Sequence, residues 1–237
     1  GALAAGTIAV TGLASGCAPA SKAESEPLAA SGADSAPDWL GSAPSISDED
    51  CDEVLETSVL VIGAGMSGYF AACAAAEAGA DTLLIEKGER GSGVRCSAIG
   101  AVGSSLQKEH GVEIDKMEIM NDFAHYAHNH CAIEQTRQWV ENSGEAVDWY
   151  RDLIEQAGLF VELEYNMPPQ ETVYKMWPVG HGTVAELNTP GHLGGASEVE
   201  GRMQEALLTY FEQCGGRSSF NTVMECLISD DSGNVVG

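Results

Sequence analysis

Basic residues are scarce in this chain: 11 Lys and Arg stand against 36 Asp and Glu, for a formal net charge of −25 over 237 residues. Binding to DNA, RNA or an anionic bilayer draws on a surplus of cationic side chains, so such partners are not expected. The chain also lacks any C-x-x-C or C-x-x-C-H run, which removes thioredoxin, zinc-ribbon and c-type haem chemistry. Its seven cysteines, Cys17, Cys51, Cys73, Cys96, Cys131, Cys214 and Cys226, are odd in number and do not suit a complete disulfide framework. No internal repeat is present. Residues 1–16 are small and apolar, but they fall short of the roughly 20 strongly apolar residues that a spanning helix requires. What remains is a soluble protein with small-molecule or protein partners, and its 44% hydrophobic content suffices for one good-sized core.

The small residues ahead of Cys17 suit a cleavage site, so residues 1–17 read as the h-region of an export signal with its processing point. Ala14-Ser15-Gly16-Cys17 resembles a bacterial lipobox, with Ala14 where Leu is preferred. Cys17 is then the expected site of lipidation, tethering the mature protein in the cell envelope at the outer face of the cytoplasmic membrane. The low hydrophobicity of the run also resembles twin-arginine (Tat) signals, and a frayed or buried helical N-terminus is the alternative. Residues 18–55 turn to Ser, Ala, Pro, Asp and Glu, a composition that cannot bury enough apolar surface to offset its ordering entropy, and read as an acidic linker.

Residues 56–237 read as α/β. Ser58 to Ile62 is an apolar run of strand length, expected to be buried on both faces. Met66 to Ala78 is an Ala-rich helix with Gly79 placed to stop it. Thr82 to Ile85 is a second, parallel strand. Lys116 to His128 and Ala132 to Ala157 read as helices, and Ser197-Glu198-Val199-Glu200 fits a capping box opening a helix that ends at Gly215-Gly216. Thr222 to Ile228 is the expected third strand, and the turn at Asp230-Asp231-Ser232-Gly233-Asn234 makes a β-hairpin.

Between the first strand and the first helix lies Gly63-Ala64-Gly65-Met66-Ser67-Gly68, a G-x-G-x-x-G turn. Gly63 permits the tight turn, Gly65 lets a pyrophosphate approach the backbone, and Gly68 lets the helix pack closely on the strand. The anion then meets the free N–H groups and the positive dipole end of the helix. Alone the pattern is weak; with Glu86 closing the second strand, where a carboxylate accepts from a ribose diol, the unit predicts a dinucleotide site.

After Glu86 comes Lys87 and a loop of small residues running through Gly93, Val94, Arg95 and Ser97 to Gly100 and Ala101, where an NAD domain goes directly into a helix. Here the chain resembles the flavoprotein subunits of the fumarate reductase and succinate dehydrogenase family, in the exported branch that includes fumarate and urocanate reductases. The resemblance runs from about Thr57 to Gly237 and implies a Rossmann-like FAD-binding domain. It implies cofactor contacts at Gly63, Ala64, Gly65, Ser67, Gly68, Glu86, Lys87, Gly93, Val94, Ser97, Gly100 and Ala101. The family often has Gly-Gly-Asn-Ala at Ser92-Gly93-Val94-Arg95, so the Asn contact is absent and Arg95 is the side chain left to meet the FAD phosphates. The second glycine of the family's later Gly-Gly is Ala101. Glu145-Ala146-Val147-Asp148-Trp149 resembles the helix before the connecting region, His192-Leu193-Gly194-Gly195-Ala196 the Gly-rich approach to the flavin, and Asn221-Thr222-Val223 the strand that meets adenine.

What the resemblance implies for function is hydride transfer from reduced flavin to an α,β-unsaturated carboxylate, with electrons from an external c-type cytochrome. The residues that bind substrate and donate the proton belong to a capping domain and a later return to the FAD domain, expected beyond Gly237. The chain therefore reads as the front part of the domain, cut before that cap, with no assignable catalytic residue and no expected turnover alone. A ketosteroid dehydrogenase or aspartate oxidase shares this front, a pyridine-nucleotide enzyme is a further reading, and a tethered flavin protein that only relays electrons is the non-enzymatic one. His125, His128, His130 and Cys131 invite a metal reading, but no second ligand cluster accompanies them, and no metal is expected.

Overall fold

The computed structural model describes residues 51–97, 99–164, 177–187, 197–230 and 232–237. The expected signal, Cys17 and nearly all of the linker lie outside the described residues, as does the segment His192–Ala196.

The α/β reading holds. Strand β1 (Val59–Ile62) leads into helix α1 (Met66–Glu77) and back to strand β2 (Thr82–Ile85). The two strands pair in parallel with Val59 opposite Thr82 and Ile62 opposite Ile85. Helix α1 closes with Gly79 at φ +84°, where the Gly79 N–H reaches the Ala76 carbonyl and the Ala80 N–H reaches that of Ala75. This is the left-handed stop expected of a glycine one residue past the helix. The third strand of this sheet is β6 (Arg217–Ser219), parallel to β2 with Leu83 opposite Arg217 and Ile85 opposite Ser219.

Three details differ from the sequence reading. Strand β2 is buried throughout, but β1 alternates, with Leu60 and Ile62 more than two-fifths exposed. As the outer strand of the order β1-β2-β6, it has α1 over one face only. The third strand lies at 217–219 instead of Thr222 to Ile228, whose apolar residues Val223, Met224, Leu227 and Ile228 stand exposed. Polar Ser218 and Ser219 form the ladder because the backbone, not the side chain, completes a sheet edge. The hairpin is present at its smallest, as an antiparallel bridge of Ser229 with Val235. The third difference is a second sheet, which periodicity did not reveal.

That sheet is antiparallel and ordered β3-β5-β4, from β3 (Ile99–Gly100), β4 (Phe160–Leu163) and β5 (Gly180–Val184). Between β3 and β4 run α2 (Ser105–Glu109), α3 (Lys116–Tyr126) and α4 (Ile133–Gln156). Helix α3 stops two residues short of the expected His128, because His128 and Asn129 take left-handed backbone at φ 51° and 60°. Helix α5 (Ser197–Gln213) precedes β6.

The core joins these layers. Ala72, Cys73 and Ala76 of α1 are small enough to bring it against Met203, Leu207 and Phe211 of α5, while Tyr150, Leu153 and Ile154 of α4 close the cluster. Each fully buried large apolar side chain stabilises by about 1.5–3 kcal/mol, so this contact fixes α1 and hence its N-terminus. No disulfide joins the six described cysteines. Among the described residues no helix is long and apolar enough to cross a membrane.

Candidate functional site

Because β1, β2 and β6 are parallel and in register, their carboxyl ends open on one edge, the place where open parallel sheets bind ligands. Gly63 leaves β1 at φ +96°, a conformation open to glycine, and its N–H reaches the Ile85 carbonyl at 2.7 Å. Gly65 then starts α1 with no side chain capping the helix and no acid in its first turn. The first N–H groups are therefore left for an anion.

Gly68 shows why the turn is so tight. A Cβ there would stand 1.8 Å from the Gly63 carbonyl oxygen. At Gly91 it would meet the Ala64 carbonyl at 2.4 Å and the Tyr69 ring at 2.9 Å, so the loop after β2 lies directly on the turn. Tyr69 beneath it is buried, and burial followed by the Glu86 charge pushes its hydroxyl up to about 12.

Glu86 is the hub. Its carboxylate accepts from the Ala64 N–H at 2.7 Å and the Gly88 N–H at 2.9 Å. Its own N–H donates to the Ser219 carbonyl, and its carbonyl accepts from the Thr222 N–H, both at 2.9 Å. The expected ribose acceptor thus also ties the glycine turn, the loop and the 219–222 segment to one another. An ionised carboxylate offers about four acceptor positions, so two bonds to the chain leave room for a diol. The two N–H groups, that of Ala64 first, hold its carboxyl below the usual glutamate range. The stability this gives is complete above the unfolded value of about 4.3 and is lost as pH falls through the lower folded value. Acid unfolding followed by circular dichroism is expected to be shallower in Glu86→Gln than in the parent on that limb.

The other expected contact residues fall into two groups. Exposed Ser67, Lys87, Gly93 and Arg95 lie on or beside the open edge, with half-buried Ser97 and Gly100 following. Val94 and Ala101 are buried at 2% and 0% exposure, and the Ala101 backbone is used within the chain, its N–H donating to the Val179 carbonyl and its carbonyl accepting from the Gln107 amide, so Ala101 has no group free for a ligand. Val223, 57% exposed, is one residue past the segment bonded to Glu86 and Gly88.

Beside the first turn of α1 lies an open cavity of about 670 Å³, walled by Met66, Ser67 and Phe70 of α1, by Ile99 and Gly100, and by the Gln138 to Val147 face of α4. Trp139 and Phe70 make it suited to a planar ring. Helix α4 also grips the segment after Ile99: the Trp139 Nε1 donates to the Gly100 carbonyl at 2.9 Å and the Ser143 hydroxyl accepts from the Val102 N–H at 3.0 Å. Gly144 lets the two backbones touch, since a Cβ there would be 2.6 Å from the Val102 carbonyl. The Asp148 carboxylate accepts the Ser105 N–H and hydroxyl. Sequence reasoning missed Trp139, Ser143, Gly144 and Asp148 as a set; their i, i+4, i+5, i+9 spacing on one helix was the available signal.

Of the run at His125, His128, His130 and Cys131, His125 is in the last turn of α3 and the other three follow the helix. Among the described residues, no three His, Cys, Asp or Glu side chains gather as a metal site.

Fold and edge together define a dinucleotide-binding α/β domain. The profile of the FAD binding domain family matches residues 58–237, and the chain belongs to that family. FAD is its cofactor. Relatives include a digoxin reductase of Eggerthella lenta, 35% identical over 152 residues, which are 62% of this chain and 26% of the relative. A probable fumarate reductase of Shewanella frigidimarina is 35% identical over 101 residues, 41% of this chain and 17% of the relative. The chain thus spans about a quarter or less of the length of these relatives. Among solved structures, a 3-ketosteroid-Δ4-(5α)-dehydrogenase from Rhodococcus jostii superposes with a TM-score of 0.57 at 24% identity, covering 76% of this chain and 41% of that one. A flavocytochrome c3 fumarate reductase gives 0.54 at 24% identity, covering 76% and 29%. Both show the likeness of fold.

Proposed function

We propose that this chain holds FAD for a reductase of small α,β-unsaturated carboxylates, with its pyrophosphate at the Gly63–Gly68 turn, its ribose at Glu86 and its ring system in the cavity beside Gly100 and Trp139. The observation that carries this reading is the continuity of the three places: uncapped N–H groups of α1, a carboxylate bonded to the same turn, and an apolar cavity sharing Met66 and Ser67 with that helix. At that place FAD, when reduced, would be the source of a hydride for the β-carbon of the alkene, with an acid of the intact protein to protonate the α-carbon. The residues described here would bind and orient: Glu86 would accept from the ribose, the N-terminus of α1 would face the diphosphate, and Phe70 with Trp139 would flank the ring. Arg95, exposed on the loop, is the cation placed to meet phosphate, and the 219–223 segment lies where adenine would follow the ribose.

Names of relatives that reduce digoxin and fumarate support a reductase, and the flavocytochrome likeness supports a c-type cytochrome as electron donor. The proposed test is anaerobic: full-length protein with a chemically reduced viologen and a panel of enoates including fumarate, urocanate and cinnamate-like acids. Substrate-dependent dye oxidation is the expected result. Turnover only in the opposite direction, with an added acceptor or O₂, would assign a dehydrogenase or oxidase; bound FAD without turnover in either direction would leave an electron relay. Residues 58–237 alone are expected to turn nothing over, since no proton donor is assigned among them and completing the reduction of an alkene after hydride transfer needs one.

Export and lipidation at Cys17 belong to the same proposal, supported by the residues around it. Two acyl chains, at about 0.8 kcal/mol per buried CH₂, suffice for stable anchoring. Cys17→Ala is expected to abolish lipidation and to leave residues 1–16 uncleaved; unchanged membrane attachment and processing would reject the anchor.

A further inference from the structure

The segment Gly100–Ser104 is braced from two sides. Trp139 and Ser143 hold it from the cavity wall, as described. From the buried side comes Gln107, 0% exposed, whose amide spends its hydrogen bonds almost entirely on this segment. Its Oε1 accepts from the Gly103 N–H at 2.7 Å and the Ser104 N–H at 3.1 Å, and its Nε2 donates to the Ala101 carbonyl at 3.0 Å and the Pro178 carbonyl at 2.9 Å. A primary amide offers two donor hydrogens and an oxygen that accepts two bonds, so its capacity is filled. His181 of β5, also fully buried, continues the bracket. Its Nδ1 lies 2.9 Å from the Val179 carbonyl and 3.3 Å from that of Ile99. Carbonyls only accept, so the proton sits on Nδ1, and Nε2 accepts the Ser104 hydroxyl at 2.8 Å. That hydroxyl oxygen accepts the Gln107 N–H in turn.

We infer that Gln107 is a positioning residue for the flavin: its amide, seated by Ser104 and His181, sets the height and tilt of the Gly100–Ser104 backbone against the ring in the adjoining cavity. The inference rests on the proposed placement of the ring beside Gly100. Three of the four groups that its amide bonds, the Gly103 and Ser104 N–H groups and the Ala101 carbonyl, belong to the segment that reaches the cavity at Gly100. Gly103, at φ +83°, lets the chain turn so that its N–H and that of Ser104 converge on one oxygen. The pyrophosphate and ribose are held elsewhere, by the Gly63–Gly68 turn and Glu86. Loss of the bracket therefore disturbs the ring without releasing the cofactor.

The test uses full-length holoprotein and the variants Gln107→Met, which keeps length and loses every amide bond, and Trp139→Phe, which keeps an aromatic wall and loses only the bond to Gly100. The readouts are FAD content, the visible circular dichroism of the flavin and its midpoint potential. Both variants are expected to retain FAD, with dissociation constants raised no more than about tenfold, while the flavin dichroism is largely lost and the potential shifts, more in Gln107→Met. Should Gln107→Met not fold, Gln107→Glu, which keeps an oxygen to accept from the Gly103 and Ser104 N–H groups and loses the two Nε2 bonds, takes its place. FAD present with dichroism and potential unchanged overturns the inference and leaves the proposed function standing. Parent protein that carries no FAD overturns both. A fall in melting temperature with an unaltered flavin signature assigns Gln107 a structural role only and also overturns it.

Discussion

Glu86→Arg is expected to abolish retention of FAD and to destabilise the fold at the same time. The substitution removes the acceptor of the Ala64 and Gly88 N–H groups and places a cation in a position that is 6% exposed, beside the positive end of α1. Hydrogen bonds to a charged group contribute about 1.5–3 kcal/mol each, so two of them amount to about 3–6 kcal/mol before the buried charge is considered. That loss falls on the fold, and the loss of FAD follows from the cation that replaces the proposed ribose acceptor. Glu86→Gln keeps one oxygen acceptor and the volume, and is expected to bind FAD more weakly than the parent but better than Glu86→Arg. Flavin released from denatured protein, quantified against protein concentration, checks the order. Equal FAD content in all three would remove Glu86 from the site.

Gly68→Ala is the second large effect. A methyl group there would stand 1.8 Å from the Gly63 oxygen, and that oxygen is backbone in a turn fixed by its own N–H bond to Ile85. Neither side can move as a flexible side chain would, so α1 must lift from β1, at a cost of about 3 kcal/mol. Gly65→Ala is the informative contrast: its Cβ would meet only the Ser92 carbonyl, at 3.2 Å. It is expected to melt close to the parent while losing FAD, because the methyl group occupies the space of the pyrophosphate and not that of the helix. Thermal unfolding and flavin content measured on both variants separate the two effects. A Gly68→Ala protein with the parent's melting temperature would contradict the close packing.

The first strand, helix and second strand were legible because each carries a local signal: an apolar run, an Ala-rich stretch ended by Gly79, and a second apolar run closed by an acid. Helices α3 and α4 were legible to within a few residues for the same reason. Strand β6 was not. Arg217, Ser218 and Ser219 have no hydrophobic pattern, and the apolar 222–228 stretch drew the assignment to itself. Strands β3 and β5 are short and include Gly100, Gly180 and Gly182, so they too lack a periodic signature. Gln107 shows both sides. Its place in the Ser104–Gln107 capping box is a local pattern, whereas its bonds to Ala101 and Pro178 join residues that only folding brings together.

By itself the sequence determined the nucleotide-binding unit, since the glycines, the apolar strands and Glu86 act through neighbours along the chain and through a parallel pairing that a single helix enforces. It also determined the family, because the loop from Lys87 to Ala101 has a pattern of small residues tied to one cofactor. Folding alone fixed how Glu86 ties the turn to the loop, which segment completes the sheet, and how the Gly100–Ser104 backbone is held. Those arrangements depend on hydrogen bonds between residues far apart in the chain, up to 136 positions for Glu86 and Thr222 (222 − 86). A backbone N–H or carbonyl is present at nearly every residue and leaves no mark in composition or periodicity.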